Sequence, residues 1–528
     1  MSKTLITLLS NQIDIFGSIH LINSLKKDAP EKEIFVLTYS DQLKYFSTHK
    51  NISDFYSIDR EFIKGVNESE LYSDSFALNS FFQTISPCYD TKWDTIINFS
   101  NDEVSAYVCS MLEAENKIGT YISSYGSPVT SNNWANYLNF VSPNLKKDII
   151  SPNTIRHYMN NIPYRRDGEK IKFNNEFTQV ATTNFSRIRQ SLNTTGKSFM
   201  VGLSLAQSFN GEKVDQDSYI EIIETIESSD EFKAVLILSG AEEEKNLVNN
   251  LNLHFDNSLI SINADRSAFP SVALNLDFLI SLSNEHLMFA DILETKVIEV
   301  RSEENMKRSY INNSENYIIY NCEKNFSNEV LLILNQECET QLPVTSMKSP
   351  HKVYMTAEDD YGLLLTQIQG PIDIESELTY HIERSFHFQL LGFPISPEFV
   401  KNIQTGVEPK VLSEFLTNSK EDLTDTVKTL LATLRSLKGA KQSEKNLNNF
   451  VLYLDQLIQK SRSTSITKGA LGLFEGRIES INSANTEENM KAIEKYLYAL
   501  KADLQVLANL FTELATKDRA VRSSEASV

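Results

Sequence analysis

Short β-branched and aliphatic runs recur through residues 1–340, each followed by a helix-length amphipathic stretch, and that alternation constrains the fold more than any other feature. It is the pattern of βα units wound around a parallel sheet. The first block places strands at 4–9, 34–38, 95–99 and 117–121, with a helix over 15–27 after the first. The second places strands at Phe199–Ser204, 234–239, 259–262, 278–282, 297–300 and Tyr317–Tyr320, with a helix over 216–228. A polar stretch at 163–197, containing Arg165-Arg166-Asp167-Gly168 and Asn193-Thr194-Thr195-Gly196, reads as the linker between them. The expected class is α/β: two tandem Rossmann-like domains, 1–165 and 198–340, facing a cleft. Doubly wound sheets bind ligands outside the carboxyl ends of their strands, so the loops there are where chemistry is expected.

After Val344 the rhythm changes. A strand pair at 352–356 and 362–367 precedes long amphipathic segments at 374–391, 410–437, 444–460 and 487–517, so 345–528 reads as a short strand pair with an α-helical extension. In the last segment Ile493, Leu497, Leu500, Leu504, Leu507, Phe511 and Leu514 fall three or four apart on one face. Two readings fit that face: a bundle closing on its own core, or a surface for self-association or a protein partner.

Composition removes several classes. The chain has 528 residues, more than one ordinary core holds, and 41% hydrophobic with 23% charged residues is the globular range. The opening apolar run is about six residues long and ends in Ser10-Asn11-Gln12, which fits a strand and not a signal peptide. No run approaches the ~20 apolar residues of a membrane span, so a soluble, cytoplasmic chain is expected. Cys88, Cys109, Cys322 and Cys338 are scattered without metal-ligand spacing and read as reduced thiols. A net charge of −20 opposes binding to nucleic acid, because that affinity comes largely from cations neutralising phosphates. A local pocket for one diphosphate remains compatible with it.

The chemistry-bearing residues sit where strands turn into helices. The first strand runs into Ser10-Asn11-Gln12-Ile13-Asp14, which puts Asp14 in the first turn of a helix, where the dipole favours a carboxylate. On that spacing alone a helix-capping role accounts for it, and a functional role needs further support. The first strand of the second block runs into a hydroxyl-bearing loop with Ser208 and Lys213 ahead of a helix, chemistry suited to a diphosphate. The next strand ends in Ser239-Gly240-Ala241-Glu242-Glu243-Glu244, an acidic helix start that could accept hydrogen bonds from ribose hydroxyls. Gly196-Lys197-Ser198 echoes a phosphate-binding loop but precedes a strand instead of following one, and is set aside.

Together these features resemble glycosyltransferase family nine, the bacterial ADP-heptose:lipopolysaccharide heptosyltransferases, over about residues 1–330. Ser10 and Asp14 match the family's Ser-x-x-Gly-Asp turn, with Ile13 in place of Gly; Trp93-Asp94 and Ile118-Gly119-Thr120-Tyr121 resemble two further motifs. Gly240 through Glu244 matches its Gly-x-x-x-Glu ribose motif. The resemblance implies a GT-B fold and an inverting sugar transfer, with Asp14 as base and donor contacts at Ser208, Lys213, Gly240, Glu244 and Asn284. It implies a nucleotide-sugar donor, ADP-linked, and a glycan or lipid-linked acceptor of lipopolysaccharide type at the inner membrane surface. No redox cofactor and no metal are expected, since no Asp-x-Asp motif stands in a suitable loop.

The second-domain signature departs from the family. Ser283-Asn284-Glu285-His286-Leu287-Met288 keeps the frame, but Glu285 stands where Gly would let backbone approach a diphosphate, and Met288 where His is typical. His286, two positions early, reads as an exposed or capping residue. Asn98, Ser100 and Val104 occupy acceptor-side positions where Asp, Gln and Lys are typical. A second class therefore stays open: a non-catalytic GT-B-fold scaffold or interaction protein that has lost donor chemistry.

Overall fold

The computed structural model describes residues 2–525 apart from 10–11, 46–48, 68–73, 125, 146–148, 166–181, 188, 191–198, 210, 213–215, 243, 257, 265–267, 303–310, 312, 321–323, 345, 347, 360–361, 395–396, 441–442, 462–465 and 482–484. Two sheets carry it, the first parallel throughout and the second parallel except at one edge. The first contains β1 (Lys3–Leu8), β2 (Glu33–Tyr39), β3 (Asp54–Ile58), β4 (Trp93–Asn98) and β5 (Ala114–Ile118) in the order β3-β2-β1-β4-β5. Their runs are apolar because both faces are covered by helices, as in β1, where Thr4 to Leu8 are all buried. β3 has no match in the expected pattern. It is an edge strand whose Asp54 is exposed and whose next three residues are half-buried, so it lacks the apolar run that marks the interior strands.

A small hairpin, β6 (Thr120–Ile122) with β7 (Pro128–Thr130), follows the first sheet. The second sheet joins β8 (Phe199–Ser204), β9 (Phe232–Leu238), β10 (Ile260–Asn263), β11 (Phe278–Ser281), β12 (Lys296–Arg301), β13 (Tyr317–Tyr320), β14 (Val353–Asp359) and β15 (Gly362–Gln369) in the order β10-β9-β8-β11-β12-β13-β14-β15. The pair expected to open the third region therefore belongs here: β14 pairs antiparallel with β13, Ile318 opposite Tyr354, and extends the sheet past residue 340. A hairpin can join a parallel sheet at its edge, and nothing in its own residues announces which sheet it will join.

The helical region is also not a separate body. Trp134, Tyr137, Val141, Ile155 and Met159, all from the first block, share one buried cluster with Leu378, Phe386, Leu430, Leu471, Leu500 and Leu507. The helix Ile374–Leu390 leaves the second sheet and returns to the first block, where His387 Nδ1 lies 2.6 Å from Tyr137 Oη. Three positions away, the buried Arg384 donates to Asp359 Oδ1 at 2.7 Å and to the carbonyls of Ile149 and Gly362 at 3.3 and 3.4 Å. One guanidinium thus holds the first block, the β14–β15 hairpin and the returning helix together. The helix Lys468–Glu479 closes the junction with Gly469, Gly472 and Gly476 along one face. A Cβ at Gly476 would lie 2.4 Å from Phe140 Cδ2, and one at Gly469 would lie 2.1 Å from His387 Nε2.

The two sheets share a core as well. Ile19 and Ile22 of the helix Gln12–Asp28 and Leu287 and Met288 of the helix Glu285–Ile292 belong to one continuous buried cluster, and these two helices pack directly against each other. Among the described residues no helix is long and apolar enough to cross a membrane.

The glycine face gives a prediction with a reversed sign. Gly to Ala in a helix interior normally stabilises by ~1 kcal/mol. Gly469→Ala and Gly476→Ala should instead destabilise by ~1–3 kcal/mol, because the methyl group has no room. Gly65→Ala, in the helix Arg60–Asn67 with open space around the site, should show the normal gain. Urea melts of the three variants give the comparison.

Candidate active site

In both sheets the chain reverses direction beside its first strand. β1 leads outward through β2 to β3 on one side while β4 returns on the other; β8 leads to β9 and β10 while β11 returns. Each reversal leaves a crevice at the carboxyl ends of two neighbouring strands, β1/β4 and β8/β11. Asp14, Ser208 and Asn284 follow strands of these pairs, and Gly240 and Glu244 follow β9, the neighbour of β8. Asp14 is in the first turn of the helix after β1, Ser208 follows β8, Gly240 and Glu244 follow β9, and Asn284 follows β11. The helices that leave the β1 and β11 ends are the pair that packs across the two domains. The side chain of Asp14 and the whole of Lys213 lie outside the described residues.

On the first-domain side, the loop ends are tied by short polar contacts. Leu9 N donates to Ser100 Oγ at 2.7 Å, and Asn98 donates from Nδ2 to Thr120 O at 2.6 Å while its Oδ1 accepts from Asn101 N at 3.1 Å. Asn98 and Ser100, singled out as acceptor-side positions, thus shape the crevice by fixing its walls. Val104 is 52% exposed in the first turn of the helix Glu103–Met111, which Asp102 caps through Ser105 N.

On the second-domain side, side-chain polar groups largely serve the loops themselves. Ser208 Oγ donates to Glu212 Oε2 at 2.9 Å, and Glu212 Oε1 accepts from Ser302 N at 3.1 Å, stitching the β8 loop to the end of β12. Asn284 is the N-cap of its helix: Oδ1 accepts from Leu287 N at 3.1 Å and Ser281 Oγ at 3.0 Å, and Nδ2 donates to Ala206 O at 2.9 Å. Its carboxamide is used in the fold, which leaves the helix's backbone N–H groups as what this end can offer an anion. Glu244, 2% exposed, accepts from Ser239 N at 2.9 Å, Gly240 N at 3.1 Å and Ser239 Oγ at 2.5 Å. Expected as a ribose contact, it closes the β9 turn, where Gly240 takes the left-handed φ of 89° that a side chain would resist.

His286 departs from the expected exposed or capping residue. It is buried, stacked on Phe269 with ring centroids 4.1 Å apart, with Nε2 3.2 Å from Ala264 O and Nδ1 2.9 Å from Ser204 Oγ. The carbonyl can only accept, so Nε2 carries the proton and Nδ1 accepts from the Ser204 hydroxyl. Burial outweighs the Ala264 contact and depresses its pKa to about 4. Met288 lies in the interdomain core.

Sequence reasoning passed over a buried charged pair beside the crevice. Glu299 and Arg301 are both fully buried and 3.5 Å apart, and Ser283 Oγ donates to Glu299 Oε1 at 2.5 Å. Burial pushes the Glu299 carboxyl up, against the pull of Arg301 and Ser283. The signal was available: two charges at alternate positions, Glu299 and Arg301, within and after the apolar residues Val297, Ile298 and Val300 of the strand Lys296–Arg301. Among the described residues no cluster of His, Cys, Asp or Glu has the arrangement of a metal site.

No family model and no curated protein matches this chain. Solved structures that it is similar to include the E. coli heptosyltransferase WaaC with ADP, at 12% identity over 63% of this chain and 99% of that one, TM-score 0.44. A glycosyl transferase family 9 protein from Veillonella parvula matches at 13% identity over 56% and 80%, TM-score 0.42. The E. coli ADP-heptose lps heptosyltransferase II matches at 11% over 64% and 99%, TM-score 0.40.

Three buried histidines, His157, His286 and His387, have their pKa values depressed by burial to about 4, 4 and 3. Above the unfolded pKa of ~6.5 neither state binds these protons, and the stability is fully present. As pH falls below it, the unfolded chain takes up protons that the folded chain refuses. Stability should therefore fall between about pH 6.5 and 4, by on the order of 2 kcal/mol per histidine from pH 7 to pH 5. Urea midpoints at the two pH values test this, and His286→Gln should narrow the difference.

Proposed function

We propose that this chain is a GT-B glycosyltransferase that moves a sugar from a nucleoside-diphosphate donor to a glycan or lipid-linked acceptor hydroxyl. The observation that carries it is the coincidence of Asp14, Ser208 and Asn284 with the two strand-order reversals, joined by packed helices from each domain. The choice of an ADP-linked donor of heptose type and a lipopolysaccharide-like acceptor rests on the motif resemblance around Asp14 and Gly240–Glu244.

In this reading Asp14 accepts the proton of the acceptor hydroxyl as that oxygen attacks the anomeric carbon. The bond to the diphosphate breaks on the opposite face, which inverts the configuration. The leaving diphosphate gains negative charge, which the N–H groups at the start of the helix Glu285–Ile292 and the Lys213 ammonium stabilise. Glu285 opens that same helix, so its carboxylate must turn from the phosphates or serve a donor of different shape.

The test pairs two substitutions, with donor binding and sugar transfer measured separately against ADP-, UDP- and GDP-linked sugars. Asp14→Asn should preserve donor binding and lower transfer by roughly 10² to 10⁴. Glu285→Gly should lower turnover if the site is adapted to its donor. If wild-type protein binds none of the nucleotides, and neither substitution changes binding or transfer, the scaffold reading replaces this one.

A further inference from the structure

We propose that the tip of the hairpin formed by the helices Pro409–Ala440 and Glu444–Ser461 docks on an anionic lipid surface. The two helices pack side by side, and where the first ends and the second begins Asn446 Nδ2 donates to Gly439 O at 3.2 Å. In the sequence, residues 426–445 carry five basic side chains, Lys428, Arg435, Lys438, Lys441 and Lys445, against one acidic, Glu444, in a chain whose net charge is −20. Lys428, Arg435 and Lys438 are exposed on the solvent side of the first helix, and Lys445 is exposed at the start of the second. Lys428, Leu431, Arg435 and Lys438 recur every three or four residues, so they form one stripe roughly 15 Å long at 1.5 Å per residue, beyond the acidic side chains of Glu421, Asp422 and Asp425.

The same tip exposes apolar side chains that a solvated helix would not need. Leu431 is 38% exposed, Leu447 42%, Val451 48% and Leu452 53%. Cations together with exposed aliphatics on amphipathic helices are the chemistry of interfacial binding, where apolar groups enter the headgroup boundary and cations meet lipid phosphates. An acidic protein segment would satisfy the cations but leave the aliphatics in water. The overall charge of −20 does not oppose such docking, because charges more than a Debye length away, ~8 Å at physiological ionic strength, are screened. It orients the protein, since acidic faces are repelled and this one is attracted. The proposal stands independently of the transferase reading.

The test is co-sedimentation of the full chain with vesicles of phosphatidylcholine alone and of phosphatidylcholine and phosphatidylglycerol in equal parts. Binding to the anionic vesicles only, weakened by added salt, is expected. The triple variant Arg435→Glu, Lys438→Glu, Lys445→Glu should lose at least about 100-fold in partitioning. Leu447→Ser with Val451→Ser should weaken it further while leaving the circular dichroism spectrum unchanged. Equal binding to both vesicles, no binding to either, or binding that survives the triple charge reversal would overturn the proposal. A concentration-dependent dimer abolished by the same substitutions would assign the face to a second copy of the chain instead.

Discussion

Arg384 is the constraint on which the arrangement of the molecule turns. A buried guanidinium without partners would cost several kcal/mol, so the carboxylate of Asp359 and the carbonyls of Ile149 and Gly362 must all be present for it to be buried. Those groups come from the first block and from the second sheet's hairpin, while Arg384 itself comes from the helix that returns between them. Satisfying one side chain therefore fixes three segments relative to one another. The Phe388 ring, 4.9 Å from the guanidinium carbon, adds an aromatic face to the same site. Around this anchor the glycine face of Lys468–Glu479 allows close approach, and the shared apolar cluster supplies most of the burial.

The loops at the strand ends show a second economy. Ser208, Asn284 and Glu244 were read as ligand contacts because hydroxyl, amide and carboxylate groups suit a nucleotide. In the folded chain Glu244 and Asn284 satisfy backbone donors and acceptors that the sharp turns leave exposed, and Ser208 holds the Glu212 carboxylate that accepts from Ser302 N. Loops tied in this way give a crevice fixed walls and leave backbone N–H groups as what the strand ends can offer an anion. The Glu299–Arg301 pair belongs to the same construction, a buried charge pair holding Ser283 at the entrance to a helix.

The two wound sheets were legible in the sequence because interior parallel strands are apolar on both faces. β1, β8 and β11 could not be mistaken for anything else. β3 was not legible, since an edge strand with Asp54 exposed has no such run. Nor was the destination of the β14–β15 hairpin, whose register is decided by the edge offered by β13. The apolar stripe of the last helix was visible residue by residue, but periodicity names a face and not its partner, and the partner includes Trp134 and Tyr137 from far upstream. Of the candidate site, the loops were identifiable from strand ends and turn chemistry. The engagement of Glu244 with its own turn was not, because an acidic helix start reads the same whether its carboxylate points outward or back.

The continuous cluster formed by Ile19, Ile22, Leu287 and Met288 bears on how quickly anything could enter or leave the crevices. In a two-domain protein whose halves meet only through water and a hinge, ligand exchange can proceed by wide rotation of one half. Here such a rotation would pull apart two apolar helix faces, at ~25 cal/mol for each Å² exposed. Exchange is therefore left to motions of the loops at the strand ends, so residence time should depend on the local stability of those loops rather than on the stiffness of a hinge.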